Sequence, residues 1–188
     1  MKRAIDFLIS ILAFFLLAIP LLILIVQVRR KLGGPIFFCQ TRPGFQGKPF
    51  EMIKFRTMTD ARDPNGQLLN DAARLTPFGR LLRSSSLDEL PELWNVLKGD
   101  MSLVGPRPER PYFVDTLTQE IPYYAVRLSV KPGLTGWAQV RYHYGATMED
   151  SAEKLQYDLY YVKNHTWFLD LVVLFETVGV VLTGKGAQ

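Results

Sequence analysis

Two adjacent carboxylates, Asp88 and Glu89, stand just before an apolar pattern that is typical of a helix. Apolar residues recur at helical spacing along residues 90–97, and Pro91 is tolerated only in the first turn of a helix. The spacing therefore predicts a helix that begins at about Leu87 or Asp88, with both carboxylates at its N-terminus. The free N–H groups and partial positive charge of a helix N-terminus attract anions.

The chemistry that such a doublet can support is metal-assisted phosphate chemistry. Carboxylates together with phosphate oxygens are the usual ligands of Mg²⁺, so Asp88 and Glu89 are the candidate metal ligands. Basic side chains flank the doublet at Arg83 and Arg107. Arg107 lies between two prolines that restrict its backbone, and an arginine suits bidentate phosphate binding.

A purely structural interpretation of the same residues is also open. Ser86 followed three residues later by Glu89 matches a capping box, and Asp88 alone can serve as an N-cap. For an arbitrary Asp-Glu pair, the structural interpretation is the more common one.

Composition limits the class of protein. The chain has 188 residues, enough for one compact domain and an appendage, and its net charge of +4 favours an anionic partner such as lipid headgroups, a nucleotide or nucleic acid. The single cysteine, Cys39, excludes an internal disulfide and fits a reducing compartment. The two histidines, His143 and His165, are far apart and have no cysteine nearby, which argues against a zinc site.

The N-terminal segment predicts a membrane helix. Residues 7–26 contain Ser10 as their only polar side chain, and this length is sufficient to cross a bilayer. Pro20 cannot bond to the Leu16 carbonyl, so we expect a kink there. Basic residues flank the run at both ends, and basic residues favour the cytoplasmic side, which favours a re-entrant helix over a straight span. The predicted division is a re-entrant membrane helix broken at Pro20 in residues 1–31 and a cytosolic domain with interfacial helices in residues 32–188.

The remaining elements predict a small, mainly helical α+β fold. Residues 36–39 and 50–55 are interpreted as a short β-hairpin, and strand alternation places Lys54 and Arg56 on one face. Either side chain would then reach a phosphate or orient a carboxylate, although solvated surface charge is the alternative. A helix is expected to start at Thr76, and residues 167–182 are expected to form a core or interfacial helix.

Residues 86–108, from Ser86 to the Gly-Pro-Arg-Pro segment, resemble the signature of the bacterial sugar transferases that act as monotopic phosphoglycosyl transferases. Residues 54–58 and 130–140 resemble further motifs of that family, so the similarity covers nearly the whole chain. The resemblance implies a re-entrant membrane helix broken at a proline and a compact helical catalytic domain. The final stretch is similar to exopolysaccharide-type members.

The reaction that the resemblance implies is transfer of a sugar phosphate from a UDP-sugar to polyprenol phosphate, with release of UMP. Asp88 is then expected to be the nucleophile on the β-phosphorus, and Glu89 either to hold Mg²⁺ or to help activate the lipid phosphate. Lys54, Arg83 and Arg107 are expected to bind phosphate oxygens.

Three further positions are assigned by the resemblance. Many relatives carry an Asn-x-Arg element after residue 140, whereas this chain has His143 where that arginine would be, with Arg141 as a possible substitute in contacting the nucleotide. Asp158 is expected in the wall of the site, although a structural aromatic cluster is an equal alternative for its segment.

The expected partners are a UDP-sugar, polyprenol phosphate and membrane lipids, with later glycosyltransferases of the same pathway as a further possibility. No nucleic-acid partner is expected, because the chain has no dense Lys/Arg run. The expected location is the cytoplasmic face of a bacterial inner membrane. The alternatives are a metal-dependent phosphohydrolase acting on a lipid diphosphate, a membrane-tethered basic binding module and a structural subunit with a decayed site.

Overall fold

The computed structural model describes residues 2–142 and 147–183, most of which are helical. The α-helices of these residues are α1 (Lys2–Leu16), α2 (Ala18–Leu32), α3 (Asp71–Arg74), α4 (Pro77–Ser84), α5 (Glu92–Lys98), α6 (Pro111–Glu120), α7 (Trp137–Arg141), α8 (Met148–Asn164) and α9 (Trp167–Thr183). The strands are β1 (Phe37–Pro43), β2 (Pro49–Phe55), β3 (Ser102–Val104) and β4 (Gly133–Thr135), and short 3₁₀ turns occupy Phe45–Gly47, Leu87–Glu89 and Tyr124–Ser129. The α+β, mainly helical prediction is confirmed for this part of the chain.

The N-terminal segment is a bent pair of helices. The break between α1 and α2 falls at Leu17, and the two axes differ by 65°. Pro20 lies in the first turn of α2, where its missing N–H is tolerated, and its ring prevents the bond to Leu16 that a continuous helix would need. Within the described residues, no single helix is both long and apolar enough to cross a membrane, whereas this bent pair taken together meets those requirements by length and composition.

The predicted β-hairpin is present and longer than expected. Strands β1 and β2 pair antiparallel from Phe37 opposite Phe55 to Pro43 opposite Pro49. Lys54 therefore lies at the end of β2, next to the last paired residue.

A second, parallel pair of strands was not predicted. Strand β3 pairs with β4, with Ser102 opposite Gly133 and Val104 opposite Thr135. Each strand has only three residues, which is too short to show an alternating pattern in the sequence. This pair is important for the site because residues 105–108 follow directly from β3.

The core joins the bent helices to the rest of the molecule. One cluster contains Val96 of α5 and Val173 of α9, and Phe14 of α1 packs against it. A second cluster joins Val28 of α2 to Phe55 of β2 and Leu82 of α4. Helices α1 and α2 therefore both pack against the remainder of the domain.

The helices predicted from caps are confirmed. The Thr76 hydroxyl accepts a hydrogen bond from the Gly79 N–H at 3.0 Å and caps α4. The final helix α9 contributes Val173 to the core, while its Trp167 and Phe175 side chains are exposed.

Candidate active site

The carboxylate doublet lies in a 3₁₀ turn and not in the first turn of an α-helix. The turn covers Leu87–Glu89, and helix α5 begins only at Glu92, so the prediction of a helix start at Leu87 or Asp88 is wrong. The physical cause is Pro91, which has no N–H to donate to the Leu87 carbonyl. The Leu90 N–H contacts that carbonyl instead, at 3.5 Å.

The capping-box interpretation is also wrong. Ser86 adopts a left-handed conformation with φ of 54°, and its side chain makes no capping hydrogen bond in the described structure. The Glu89 side chain pairs with Lys54 and Arg107. The structural alternative for the doublet therefore does not account for its geometry.

Glu89 lies between two basic side chains. The Lys54 Nζ is 2.6 Å from Glu89 Oε1, and Arg107 forms a bidentate pair in which its Nη1 donates to Oε2 at 3.2 Å and its Nη2 to Oε1. A planar guanidinium held in this way has a fixed orientation. Lys54 and Arg107 therefore converge on Glu89.

Asp88 differs from its neighbour because it has no ion pair within the described residues. It is 8% exposed, and burial, together with the nearby charge of Glu89, raises its pKa to about 6. Burial would also raise the pKa of Glu89, but the charges of Arg107 and Lys54 outweigh it and lower that pKa to about 2. The result is one fully ionised, neutralised carboxylate beside one uncompensated carboxylate.

A third carboxylate, Glu92, belongs to the same cluster and was missed. It is 1% exposed, and its Oε1 lies 3.1 Å from the Lys54 Nζ. Burial, reinforced by Glu89, raises the pKa of Glu92 to about 7 although Lys54 opposes the shift. The available signal was spacing, since Glu92 is three residues after Glu89 and four after Asp88.

Two of the other predicted phosphate-binding side chains have different partners. The Arg83 Nε donates to the Thr57 hydroxyl at 3.0 Å. Arg56 donates to the Gly34 carbonyl at 2.6 Å and pairs with Asp60 at 2.7 Å. Arg56 is therefore not brought to the doublet, because β2 ends one residue before it and its side chain leaves the face of Lys54.

Two residues were candidates for the role of the missing arginine, Arg141 and His143. Arg141 pairs with Glu176 on α9 and stacks on the Trp137 ring, so its guanidinium already has partners. His143 lies outside the described residues. The prediction that Arg141 contacts a nucleotide has no support from its placement.

Asp158 is buried and not part of an open wall. It is 2% exposed and pairs with Arg127 at 2.9 Å. The Arg127 Nη2 also donates to the main-chain carbonyl of Arg107 at 2.8 Å. The expectation that Asp158 lines the site is therefore corrected: it lies behind Arg107 and not against a substrate.

The donor set for a metal ion is limited. Across residues 2–142 and 147–183, no group of three or more His, Cys, Asp or Glu side chains has the spacing to hold a metal ion. A divalent cation at Asp88 and Glu89 would therefore need phosphate oxygens and water to complete its coordination, which is the usual arrangement for Mg²⁺.

The candidate site thus combines a buried carboxylate doublet and converging cations with a bent apolar helix pair. A family model described as bacterial sugar transferase matches residues 1–184, and the chain belongs to that family.

The chain is also similar to individual proteins of known name. The chain is 47% identical over 188 residues to the uncharacterized sugar transferase EpsL of Bacillus subtilis, covering 100% of this chain and 90% of that protein. It is 41% identical over 189 residues to a UDP-N-acetylgalactosamine-undecaprenyl-phosphate N-acetylgalactosaminephosphotransferase of Aeromonas hydrophila, covering 100% of this chain and 45% of that protein. A UDP-glucose:undecaprenyl-phosphate glucose-1-phosphate transferase of Caulobacter vibrioides is 40% identical over 190 residues, with 99% of this chain and 71% of that protein covered.

Proposed function

We propose that this protein transfers a sugar phosphate from a UDP-sugar to polyprenol phosphate through a phosphosugar–aspartyl intermediate on Asp88. The observation that carries the proposal is the contrast within the doublet. Glu89 is neutralised by Lys54 and Arg107, whereas Asp88 is buried without a cation of its own. A buried carboxylate that is not held in an ion pair is suited to nucleophilic attack. The names of the Aeromonas and Caulobacter relatives support the same reaction class.

In the first step, an oxygen of the Asp88 carboxylate attacks the β-phosphorus of the UDP-sugar. A new O–P bond forms, and the bond from that phosphorus to the oxygen bridging the α- and β-phosphates breaks. UMP leaves with the bridging oxygen and its electron pair. Asp88 then carries the sugar phosphate as an acyl phosphate.

In the second step, an oxygen of polyprenol phosphate attacks the same phosphorus and releases the Asp88 carboxylate. The product is a polyprenyl-diphosphate sugar. The low pKa of Glu89, about 2, makes it a poor general base near neutral pH. Glu89 is therefore better suited to orienting cations, or a metal ion, than to accepting a proton.

The residues present fit a Mg²⁺ ion, since Asp88 is an uncompensated carboxylate beside a second one. Asp88 and Glu89 would hold the ion, and it would neutralise the charge of the diphosphate. Lys54 and Arg107 would bind phosphate oxygens on either side of Glu89. Arg83 uses only its Nε on Thr57, and its terminal nitrogens have no partner in the described part of the chain.

The bent helix pair supports action at a membrane. The bend between α1 and α2 carries large apolar side chains that are exposed, among them Phe15 at 82% and Ile19 at 73%. An apolar surface of this kind is suited to a lipid environment, where polyprenol phosphate is found. We propose that the protein lies at the cytoplasmic face of the inner membrane.

The experiment is an assay of purified full-length protein with Mg²⁺, undecaprenyl phosphate and a panel of UDP-sugars that includes UDP-N-acetylgalactosamine and UDP-glucose. The expected products are UMP and a lipid-linked diphosphate sugar for at least one donor. Release of inorganic phosphate from a lipid diphosphate instead would indicate a phosphohydrolase. Salt-sensitive binding of an acidic polymer that is unchanged in Asp88→Asn, with no turnover, would indicate a binding module.

A further inference from the structure

The Arg127 guanidinium is buried, and each of its three nitrogens contacts an acceptor. Arg127 is 4% exposed, and its Nη1 donates to the Tyr124 hydroxyl at 2.8 Å. Its Nε and Nη2 both reach Asp158 Oδ2, at 3.1 and 2.9 Å. Its Nη2 also donates to the Arg107 carbonyl at 2.8 Å. With all three nitrogens engaged inside the protein, this guanidinium is held in a fixed orientation.

The segment that carries Arg107, residues 105–108, is held by its main chain. The Gly105 N–H donates to the Thr135 carbonyl at 2.9 Å, and the Pro106 carbonyl accepts from the Gly133 N–H at 3.0 Å. The Pro108 carbonyl accepts from the Arg42 Nη1 at 3.1 Å. Two of the four residues are prolines without an N–H, so carbonyl contacts fix most of this segment.

The Arg107 carbonyl is held by the buried Arg127 side chain, whereas the Arg42 side chain on the Pro108 carbonyl is only partly buried. On the other side of the same residue, the guanidinium meets both oxygens of Glu89. A rotation of the Arg107 peptide would therefore swing the guanidinium away from Glu89.

We propose that Arg127 and Asp158 are positioning residues for the transfer reaction, and that they act by fixing the Arg107 peptide so that its guanidinium meets Glu89 and the substrate phosphate. This inference rests on the proposed function. Asp158 holds Arg127 in place, and the planar fork of Arg127 sets the direction of the Arg107 carbonyl. Helix α8, which supplies Asp158, thus belongs to the architecture of the site without contacting the substrate.

Positioning and stability can be separated experimentally. Replacing both members of a buried ion pair by apolar residues of similar volume is often neutral for stability, whereas removing one member leaves an unpaired buried charge. The double variant Arg127→Met with Asp158→Leu therefore removes the bond to the Arg107 carbonyl while it avoids an orphaned charge.

The test is a kinetic cycle with Arg107→Ala, which keeps the carbonyl of residue 107 and removes its guanidinium. In the wild-type background, the Arg127→Met/Asp158→Leu pair is expected to lower kcat/KM for the UDP-sugar by about tenfold to a hundredfold, since small misplacements at a reacting centre have effects of this size. In the Arg107→Ala background, the same pair is expected to cause almost no further loss, because there is no guanidinium left to misplace. Equal losses in both backgrounds would overturn the proposal.

The matched control is Leu155→Ala, on the same helix α8 and also buried, with its contacts in a cluster around Val114 and Leu117. Its effect on activity, corrected for the folded fraction, is expected to be the same in both backgrounds. If the double variant does not fold, Arg127→Gln is carried through the same cycle with the same expectation.

The outcomes also separate this inference from the proposed function. A wild-type protein without UMP release, or an Arg107→Ala variant as active as wild type, would contradict the proposed function itself. A large effect of Arg107→Ala together with unchanged activity of the Arg127 variants would contradict only the positioning role.

Discussion

Asp88 and Glu89 are neighbours in the chain whose pKa values shift in opposite directions. Burial and the charge of Glu89 raise the pKa of Asp88 to about 6. Burial also acts to raise the pKa of Glu89, but Arg107 and Lys54 outweigh it and lower that pKa to about 2. Pairs of carboxylates whose environments separate their pKa values usually have separate roles. The separation supports the proposal that Asp88 forms the bond to phosphorus and that Glu89 orients cations.

Asp88→Asn is expected to abolish UMP release and to stabilise the fold. The folded-state pKa of Asp88 lies above its ordinary value of 3.8, so ionising this group costs stability, and that loss accumulates as the pH rises from about 4 to about 6. At pH 7 an uncharged asparagine avoids it, which corresponds to a gain of about 3 kcal/mol. Denaturant unfolding of both proteins at pH 7 checks this, and an Asp88→Asn variant that is less stable than wild type would contradict it.

Activity is expected to fall as the pH is lowered through about 6. Below that pH, Asp88 is increasingly protonated and is no longer a nucleophile, so kcat/KM should drop about tenfold for each further pH unit. The control is Glu92→Gln, which removes the neighbouring group whose pKa is about 7. If Glu92→Gln no longer loses activity at low pH, the loss in the wild-type protein is due to protonation of Glu92 and not of Asp88.

At the residue scale, the sequence predicted the centre of the site and not its surroundings. The doublet, Lys54 and Arg107 were found because they fall in segments that resemble motifs of the bacterial sugar transferases. Arg127 was missed because a single arginine among apolar residues carries no local signal of a buried bond to a distant carbonyl. Arg56 pairs with Asp60 and Arg141 with Glu176, and sequence position does not show which acceptor a long side chain reaches.

At the element scale, close packing of main chain against main chain holds the site. A Cβ placed at Gly105 would meet the Lys131 carbonyl oxygen and the Gly133 nitrogen, both of which are main-chain atoms. The Gly-Pro-Arg-Pro segment can therefore follow β3 and lie against β4 only with a glycine at its start.

Gly105→Ala is expected to reduce both stability and kcat/KM, because the backbone must shift and Arg107 moves with it. A loss of about 2 kcal/mol in the free energy of unfolding is the expected size for such a clash. The control is Gly179→Ala in α9, where a Cβ meets no atom of the described residues within 4 Å. That variant is expected to gain about 0.5–1 kcal/mol from helix propensity, with activity unchanged. A Gly105→Ala protein with wild-type activity and stability would contradict the account.

Elements with a strong local signal were predicted correctly. Thr76 followed by a proline indicated the start of α4, and the apolar run after Trp167 indicated α9. The β3–β4 pair was missed because parallel pairing of three-residue strands depends on contacts far apart in sequence. The start of α5 was misplaced because Pro91 converts the preceding turn to a 3₁₀ conformation.

At the scale of the whole molecule, the start of α1 and the end of α2 both contact the remainder of the domain. Lys2 pairs with Asp170 at 2.6 Å, and the Asp6 carboxylate accepts a hydrogen bond from the Ser102 hydroxyl at 2.8 Å. At the other end, Val28 packs with Phe55. Because a straight span would place these ends on opposite sides of a bilayer, the contacts support a re-entrant arrangement.

This arrangement is tested by cysteine labelling in a Cys39→Ser background. Single cysteines at Ala4 and Arg30, which are both exposed, are expected to resist a membrane-impermeant maleimide in intact spheroplasts and to react after permeabilisation. Labelling of one position in intact spheroplasts would mean that the helix crosses the membrane. The same experiment with Pro20→Leu is expected to expose one end, since a continuous helix regains the bond to Leu16.

The most direct test of the account uses the purified protein with a UDP-sugar donor, Mg²⁺ and no lipid acceptor. After an acid quench, mass spectrometry of the peptide that contains Asp88 should show a covalently attached sugar phosphate in an amount equal to the UMP released. Asp88→Asn should give neither the adduct nor UMP. An unmodified peptide, together with UMP release only when polyprenol phosphate is also present, would show that transfer occurs directly between the two substrates and would contradict the role of Asp88 as nucleophile.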